Sequence, residues 1–538
     1  MAFIAISLYA VPMSPELKER LIAEGRYYRI IEIVKEARVH GVDEPNPYPI
    51  SIHQGERVTI NAIVILVDFN DNVATTDTLH YDSLLSSIGV YSTGSFRDFY
   101  LENSYNSIDI ITTIVGWFRM PQNYTYYTNG QYGWGPYPQN CQKLTEDAIW
   151  AADPYVDFSL FDNDGDNYVD ALFIVHAGPG AEVTGNPWDI WSHAWVTGNI
   201  PNVDGVLAWR YSTEPEDGKV GVFAHEAGHA LFGLPDLYDY DYDSRGCGDW
   251  TVMAGGCWNG GGTRPAHFDA WCKIESGFLD PVVPTSNQTG VEFPAVEYDS
   301  VVYKLWTDGT PTTQYFLVEN RQKKGFDQQL PYAGLIIYHV DETMPHNDWQ
   351  WYPGYTDSGH YKVAVEQADG YWQMEKNING GDVSDPWPGT LIRRSFNDST
   401  TPDTKDYNFS TTYVAVENIS NSGDTMTADI KVKPTGIEEI VWSDYEIPGI
   451  EVCPSIANSE FTISFTVESK HESTNLKIYD ATGRLVRSFN NLNSALGKIT
   501  WYGDDDYGNR TSPGVYFVQL TTDSADTFGR FEKIILVK

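Results

Sequence analysis

The segment Gly221–Asp239 reads GVFAHEAGHALFGLPDLYD and carries the residues best suited to chemistry. His225 and His229 are spaced i, i+4, so on a helix both imidazoles leave one face and can meet a single metal ion. Glu226 projects beside them. It is too close in sequence to serve as an easy third ligand, but it is well placed to take a proton from water that such an ion activates. Zinc supplies that activation, lowering the pKa of bound water to about 7. The opposing reading is a core helix with two satisfied histidines. The apolar flanks (Val222, Phe223, Ala224, Leu231, Phe232) bury one face under either reading. Gly233 then ends the helix and Pro235 stops it continuing, so the next residues can fold back towards the ion.

A catalytic zinc site takes three protein ligands. The next glutamate downstream is Glu275, an awkward distance away. Gly233-Leu234-Pro235-Asp236 offers Asp236 at the Gly-x-x-ligand spacing of a metzincin turn. One extra residue, Phe232, separates His229 from the glycine relative to that pattern. Asp236 is therefore the first choice, and Asp239 the reserve. Farther on, GDWTVMAGGCWNGGG (248–262) places Met253 in a Gly-rich turn, which fits a Met-turn under the zinc helix. Plain packing is the other reading of Met253. The donor to the transition state stays open, with Tyr238 as one option. His176, His193 and His267 are isolated and read more readily as structural than as site residues.

A second constellation spans Asp162–Asp170. Asp162, Asp164, Asp166 and Asp170, with the Tyr168 carbonyl, can converge on one hard cation, calcium by ligand type. The spacing is not that of an EF-hand loop, and a solvated turn is the alternative. Asp382-Val383-Ser384-Asp385, with Asp369 and Glu366 nearby in sequence, is a further candidate, set against an ordinary capped turn.

These residues sit in a chain of 538 with a formal charge of −39. Such a surface repels phosphate backbones, so no nucleic-acid partner is expected. The five cysteines make no disulfide scaffold, and an odd count leaves at least one unpaired. No run is long enough to span a bilayer, so no transmembrane segment is expected. Residues 1–10 read as the remnant of a signal peptide, with Leu8-Tyr9-Ala10 as a small-residue cleavage site.

Residues 11–55 read as a pro-segment, a charged helical stretch and a Pro-rich connector with too few apolar residues for a core of its own. Residues 56–285 alternate strand and helix signals and form the catalytic domain. From 286 to 433 nearly every run is a strand, which predicts a β-sandwich accessory domain. Residues 434–448 are an acidic linker, and 449–538 a small β-sandwich. The fold class is thus α+β and multidomain: a metzincin-like zinc peptidase domain, a β-rich sandwich domain and a C-terminal immunoglobulin-like β-sandwich.

The text VILVDF (64–69), GSFRDFYLENSYN (94–106), FDNDGDNYVDALFIVHAGPGAE (161–182), DIWSHAW (189–195), the zinc segment, PAHFDAWCK (265–273) and GDVSDPWPG resembles the immune inhibitor A family of secreted bacterial metallopeptidases. The resemblance implies zinc endopeptidase activity on proteins or peptides, calcium-stabilised structure, secretion as a proenzyme and a third ligand at Asp236. Residues 449–538 resemble both the type IX secretion sorting domain and the immunoglobulin-like domain of flagellar hook-capping proteins, which implies export or surface attachment through secretion machinery. The leading expectation is a secreted or cell-surface zinc endopeptidase with Glu226 as general base. The alternatives are a catalytically silent, calcium-bound surface adhesin and a zinc hydrolase of a non-protein amide.

Overall fold

The computed structural model describes residues 10–39, 42, 46–50, 57–310, 312–355, 359–434, 449–466, 474–490, 492, 496–522 and 531–538. The expectations for residues 1–9 and for most of the 434–448 linker lie outside the described residues. The chain divides into two compact units, Met1–Pro434 and Thr435–Lys538.

The first unit opens with two helices. α1 (Pro15–Glu24) starts where the Ser14 side chain accepts from Leu17 N–H, with Pro15 in its first turn, and it ends at Gly25. α2 spans Tyr27–Val39. Leu17, Leu21, Ile30, Ile31 and Val34 are buried, and they join the core of the residues that follow. These helices lack a core of their own and borrow one.

The central sheet is built from β1 (Val58–Asp68), β2 (Ile108–Arg119), β3 (Leu172–His176), β4 (His193–Val196) and β5 (Arg210–Pro215). Its order is β2-β1-β3-β5-β4, parallel except for the edge strand β4, which runs antiparallel to β5. β1 is buried from Ala62 to Asp68. A continuous apolar run of this kind is what a parallel strand covered on both faces requires. α3 (Phe96–Asn103), with a Ser95/Asp98 capping box, α4 (Cys141–Ala152) and α5 (Val220–Phe232) are the longer helices of this part. Every residue of α5 is buried, so it runs through the interior.

Beyond residue 285 the strands are β6 (Gln288–Pro294), β7 (Tyr303–Leu305), β8 (Gln314–Arg321), β9 (Gly334–Asp341), β10 (Val363–Val365), β11 (Ala415–Glu417) and β12 (Thr425–Lys431). They form an antiparallel four-stranded sheet, β10-β9-β8-β7, and a three-stranded sheet, β11-β12-β6. Phe316, Val318, Leu335 and Ile337 from the first share a core with Phe293, Val416, Met426 and Ile430 from the second.

Residues on both sides of 285 pack together. Tyr315, Leu317, Phe326, Leu330, Ile336 and Tyr338 belong to the same core as Phe223, Trp250 and Met253. Arg321 on β8 is wholly buried. It donates to both oxygens of Asp327 at 2.6 and 2.7 Å, to Glu319 at 3.0 Å and to the Trp250 carbonyl at 3.1 Å. A buried charge so fully partnered fixes register at this seam, and removing either partner strands the other.

Among the described residues of the second unit every regular element is a strand. Gly449–Cys453, Phe461–Thr466 and Leu496–Trp501 form one sheet; Ile456–Ala457, Phe531–Leu536, Gly514–Thr522, Thr474–Asp480 and Leu485–Phe489 form the other. Phe461, Ile463, Trp501, Leu476, Val518 and Ile534 fill its core. All five cysteines are free thiols, four of them buried.

Candidate metal centre

Two close approaches position α5. A Cβ on Gly221 would lie 2.0 Å from the Cys257 carbonyl oxygen, and one on Gly228 would lie 2.7 Å from Met253 Sδ. Glycine at both points lets the helix rest directly on the turn that carries Met253. At its C-terminus Gly233 adopts φ 63°, its N–H bonds His229 O at 3.2 Å, and Leu234 N–H bonds Gly228 O at 3.1 Å. This left-handed cap reverses the chain and returns Asp236 to the helix.

His225, His229 and Asp236 are fully buried and converge. His225 Nε2 lies 3.1 Å from His229 Nε2 and 3.1 Å from Asp236 Oδ1, and His229 Nε2 lies 3.3 Å from the same oxygen. Ligands about 2.1 Å from a tetrahedral zinc stand about 3.4 Å apart, so the three atoms fit such an ion. His225 Nδ1 bonds the Val252 carbonyl at 2.8 Å, and His229 Nδ1 the Leu234 carbonyl at 2.7 Å. Each Nδ1–H is thereby engaged, which leaves the Nε2 lone pairs facing the centre. Burial holds His229 below the usual imidazole value, although Asp236 pulls it up. Burial works to raise Asp236, but the two histidines outweigh it and hold the carboxyl low. A metal takes a neutral imidazole and an ionised carboxyl, and the shifts of His229 and Asp236 run in those directions.

The Met253 turn touches this constellation twice. Val252 O orients His225, and Met253 O accepts from Leu237 N–H at 2.8 Å. Asp239, the reserve ligand, is elsewhere: it accepts from Asp241 N–H and Ser244 N–H and groups with Asp241 and Asp243. His176, His193 and His267 are held by other partners, at the Ala177 carbonyl, the Trp191 carbonyl and the Glu102 carboxylate.

The segment just before α1 lies across the centre. Ala10 N–H donates to Asp236 Oδ2 at 3.2 Å, and Val11 N–H to Glu226 Oε1 at 3.1 Å. Tyr238 OH donates to the Ala10 carbonyl at 2.5 Å. The indoles of Trp191 and Trp258 donate to the carbonyls of Val11 and Pro12 at 2.9 and 2.7 Å. The sequence reading missed both tryptophans as cleft residues. Single aromatics outside a periodic pattern carry no such signal.

In the acidic loop, Asp162, Asp164 and Asp170 offer oxygens within 4.8 Å of one another. Asp166 is outside that group, its Oδ1 accepting from Tyr168 N–H at 2.8 Å. Burial, then the charges of Asp164 and Asp166, push Asp170 up to about 6 against hydrogen bonds from Asn163.

Residues 49–276 match the immune inhibitor A peptidase M6 catalytic domain. The M6 match contains α5, Asp236, Met253 and the acidic loop. Immune inhibitor A of Bacillus thuringiensis subsp. alesti is 36% identical over 211 residues, 32% of this chain and 30% of that protein. Pre-pro-metalloprotease PrtV of Vibrio cholerae serotype O1 is 31% identical over 275 residues, 41% of this chain and 30% of that protein. The chain thus aligns with about a third of the length of these curated relatives. Residues 454–526 match the FlgD Ig-like domain, which supports the hook-capping side of the C-terminal resemblance. A solved structure, dimeric latent PorU from Porphyromonas gingivalis, aligns at 18% identity over 23% of this chain and 12% of that one, with a TM-score of 0.16, too low to bear on fold. No helix among the described residues is long and apolar enough to cross a membrane.

Proposed function

We propose that this chain is a secreted zinc-dependent endopeptidase of metzincin-like design, kept latent by its own N-terminal segment. The observation that carries this is the backbone of Ala10–Val11 laid over His225, His229 and Asp236 with the polarity of a substrate. Its carbonyl oxygen meets Tyr238, and its amide nitrogen meets Glu226.

Zinc, when bound by His225, His229 and Asp236, polarises a peptide carbonyl and acidifies water. Glu226 takes the proton of the attacking water and returns it to the departing amine, whose place the Val11 nitrogen marks at 3.1 Å. Tyr238 donates to the carbonyl oxygen as negative charge develops there. Trp191 and Trp258 hold the backbone on the primed side through its carbonyls, so recognition begins with main chain common to any polypeptide. The 162–170 loop holds calcium through Asp162, Asp164 and Asp170, and the C-terminal unit serves export or attachment.

The test is hydrolysis of unfolded casein by zinc-loaded, calcium-loaded protein freed of residues before 57, with Glu226→Ala beside it. Cleavage abolished in the variant supports the reading. Absence of cleavage in both turns the assignment to a narrow hydrolase of another bond or to a calcium-bound adhesin.

A further inference from the structure

A second cluster of carboxylates lies away from the M6 metal centre, in the segment between β10 and β11. Asp369, Asp382 and Asp385 each offer an oxygen, and these lie within 4.8 Å of one another. Asp369 and Asp385 are buried, at 5% and 1% exposure. Among the described residues no lysine, arginine or histidine forms an ion pair with any of the three.

The hydrogen bonds do not neutralise them. Asp369 accepts from Tyr371 N–H at 2.8 Å and from Ser384 Oγ at 3.0 Å. Asp382 accepts from Ser384 N–H and Oγ at 2.8 and 2.6 Å, and from Gln373 and Asn379 at 2.8 and 3.0 Å. The Ser384 hydroxyl has one proton for two carboxylates, so one contact lacks its hydrogen. Asp385 uses Oδ2 to accept from Asp382 N–H at 2.6 Å. Its Oδ1 is buried with no hydrogen-bond partner. An unpaired, buried carboxylate oxygen beside two more carboxylates lacks a positive charge, and a cation would supply it.

We propose that Asp369, Asp382 and Asp385 bind a calcium ion. All donors are oxygens, which selects a hard cation. Three converging carboxylates on an irregular loop suit calcium's variable coordination better than the strict octahedron of magnesium. The ion closes the segment 369–385 on itself. That segment in turn supports the M6 centre: the Met374 carbonyl accepts from Arg245 N–H at 3.0 Å and the Gly380 carbonyl from Asp249 N–H at 2.6 Å. Arg245 and Asp249 lie on the stretch that leads into the Met253 turn. Calcium here therefore braces the floor beneath His225 and His229 from outside the catalytic segment.

The test counts calcium on the intact chain by native mass spectrometry, with Asp385→Asn and, separately, Asp164→Asn. The proposal expects Asp385→Asn to carry one calcium fewer than wild type, whatever Asp164→Asn does, and to lose part of the calcium-dependent rise in thermal midpoint. An unchanged calcium count and an unchanged midpoint shift in Asp385→Asn overturn it. Should that variant fail to fold, crystals of the wild-type chain soaked in terbium decide. An anomalous peak among the three carboxylates upholds the site, and its absence with terbium bound elsewhere refutes it.

Discussion

Glu226 accepts a hydrogen bond from the Val11 backbone N–H at 3.1 Å, so the proposed general base is engaged by the chain's own N-terminal segment. Removing that segment and replacing Glu226 by Gln should lower kcat by about 100- to 10,000-fold, the span of general-base catalysis. Zinc content should stay the same, since Glu226 is not a ligand. Stopped peptide hydrolysis paired with metal analysis checks both.

Tyr238→Phe removes the hydroxyl that meets the Ala10 carbonyl. The expected loss is about 100-fold in kcat, comparable to deleting one oxyanion donor, with KM changed little. Steady-state kinetics on the freed enzyme separate the two parameters. A rise in KM alone would assign Tyr238 to binding.

Trp191→Phe keeps an aromatic face, smaller than the indole, but removes the N–H that donates to Val11 O. One neutral hydrogen bond is worth about 1 kcal/mol, so a synthetic peptide of residues 10–24 should inhibit this variant about fivefold more weakly than wild type. The comparison of inhibition constants is the measurement.

Docking of the N-terminal segment should depend on pH through Lys18. Burial, and then the charge of Arg245, lower its ammonium from 10.5 to about 7 against the pull of Asp239. Docked Lys18 therefore binds fewer protons than free Lys18 between pH 7 and 10.5, and docking strengthens as pH rises through that window. Below pH 7 the ammonium is charged in both states and its burial cost stands in full. Latency of the uncleaved chain should be tighter at pH 9 than at pH 7, and Lys18→Met should flatten the profile.

Gly221→Ala places a methyl against the Cys257 carbonyl, where backbone cannot yield cheaply. The expected destabilisation is about 1–3 kcal/mol, read as a lower denaturation midpoint.

The convergence of His225, His229 and Asp236 was legible because i, i+4 histidines and a left-handed glycine cap are local rules. Asp236 stood ahead of Asp239 in the sequence on its Gly-x-x spacing from Gly233 and on the family resemblance. Asp166 could not be separated from its neighbours, because a period of two puts all four aspartates on one loop and only the local hydrogen bonds sort them. The roles of Trp191 and Trp258 were out of reach for a different reason. Their partners are backbone carbonyls of Val11 and Pro12, remote in sequence, and a backbone carbonyl has no sequence signature. The strands beyond 285 could be read from their alternation, whereas the packing of Phe326 against Phe99 could not, since an apolar residue does not announce which core it enters.

That packing has a consequence for how the molecule can be divided. A chain ending at residue 285 would keep His225, Glu226, His229 and Asp236. It would also leave Phe99 without its ring contact to Phe326 and the Trp250 carbonyl without Arg321. The segment that carries the candidate centre is therefore one block with its neighbouring sheets, and a minimal fragment that keeps that centre should be cut after residue 434 rather than after 285.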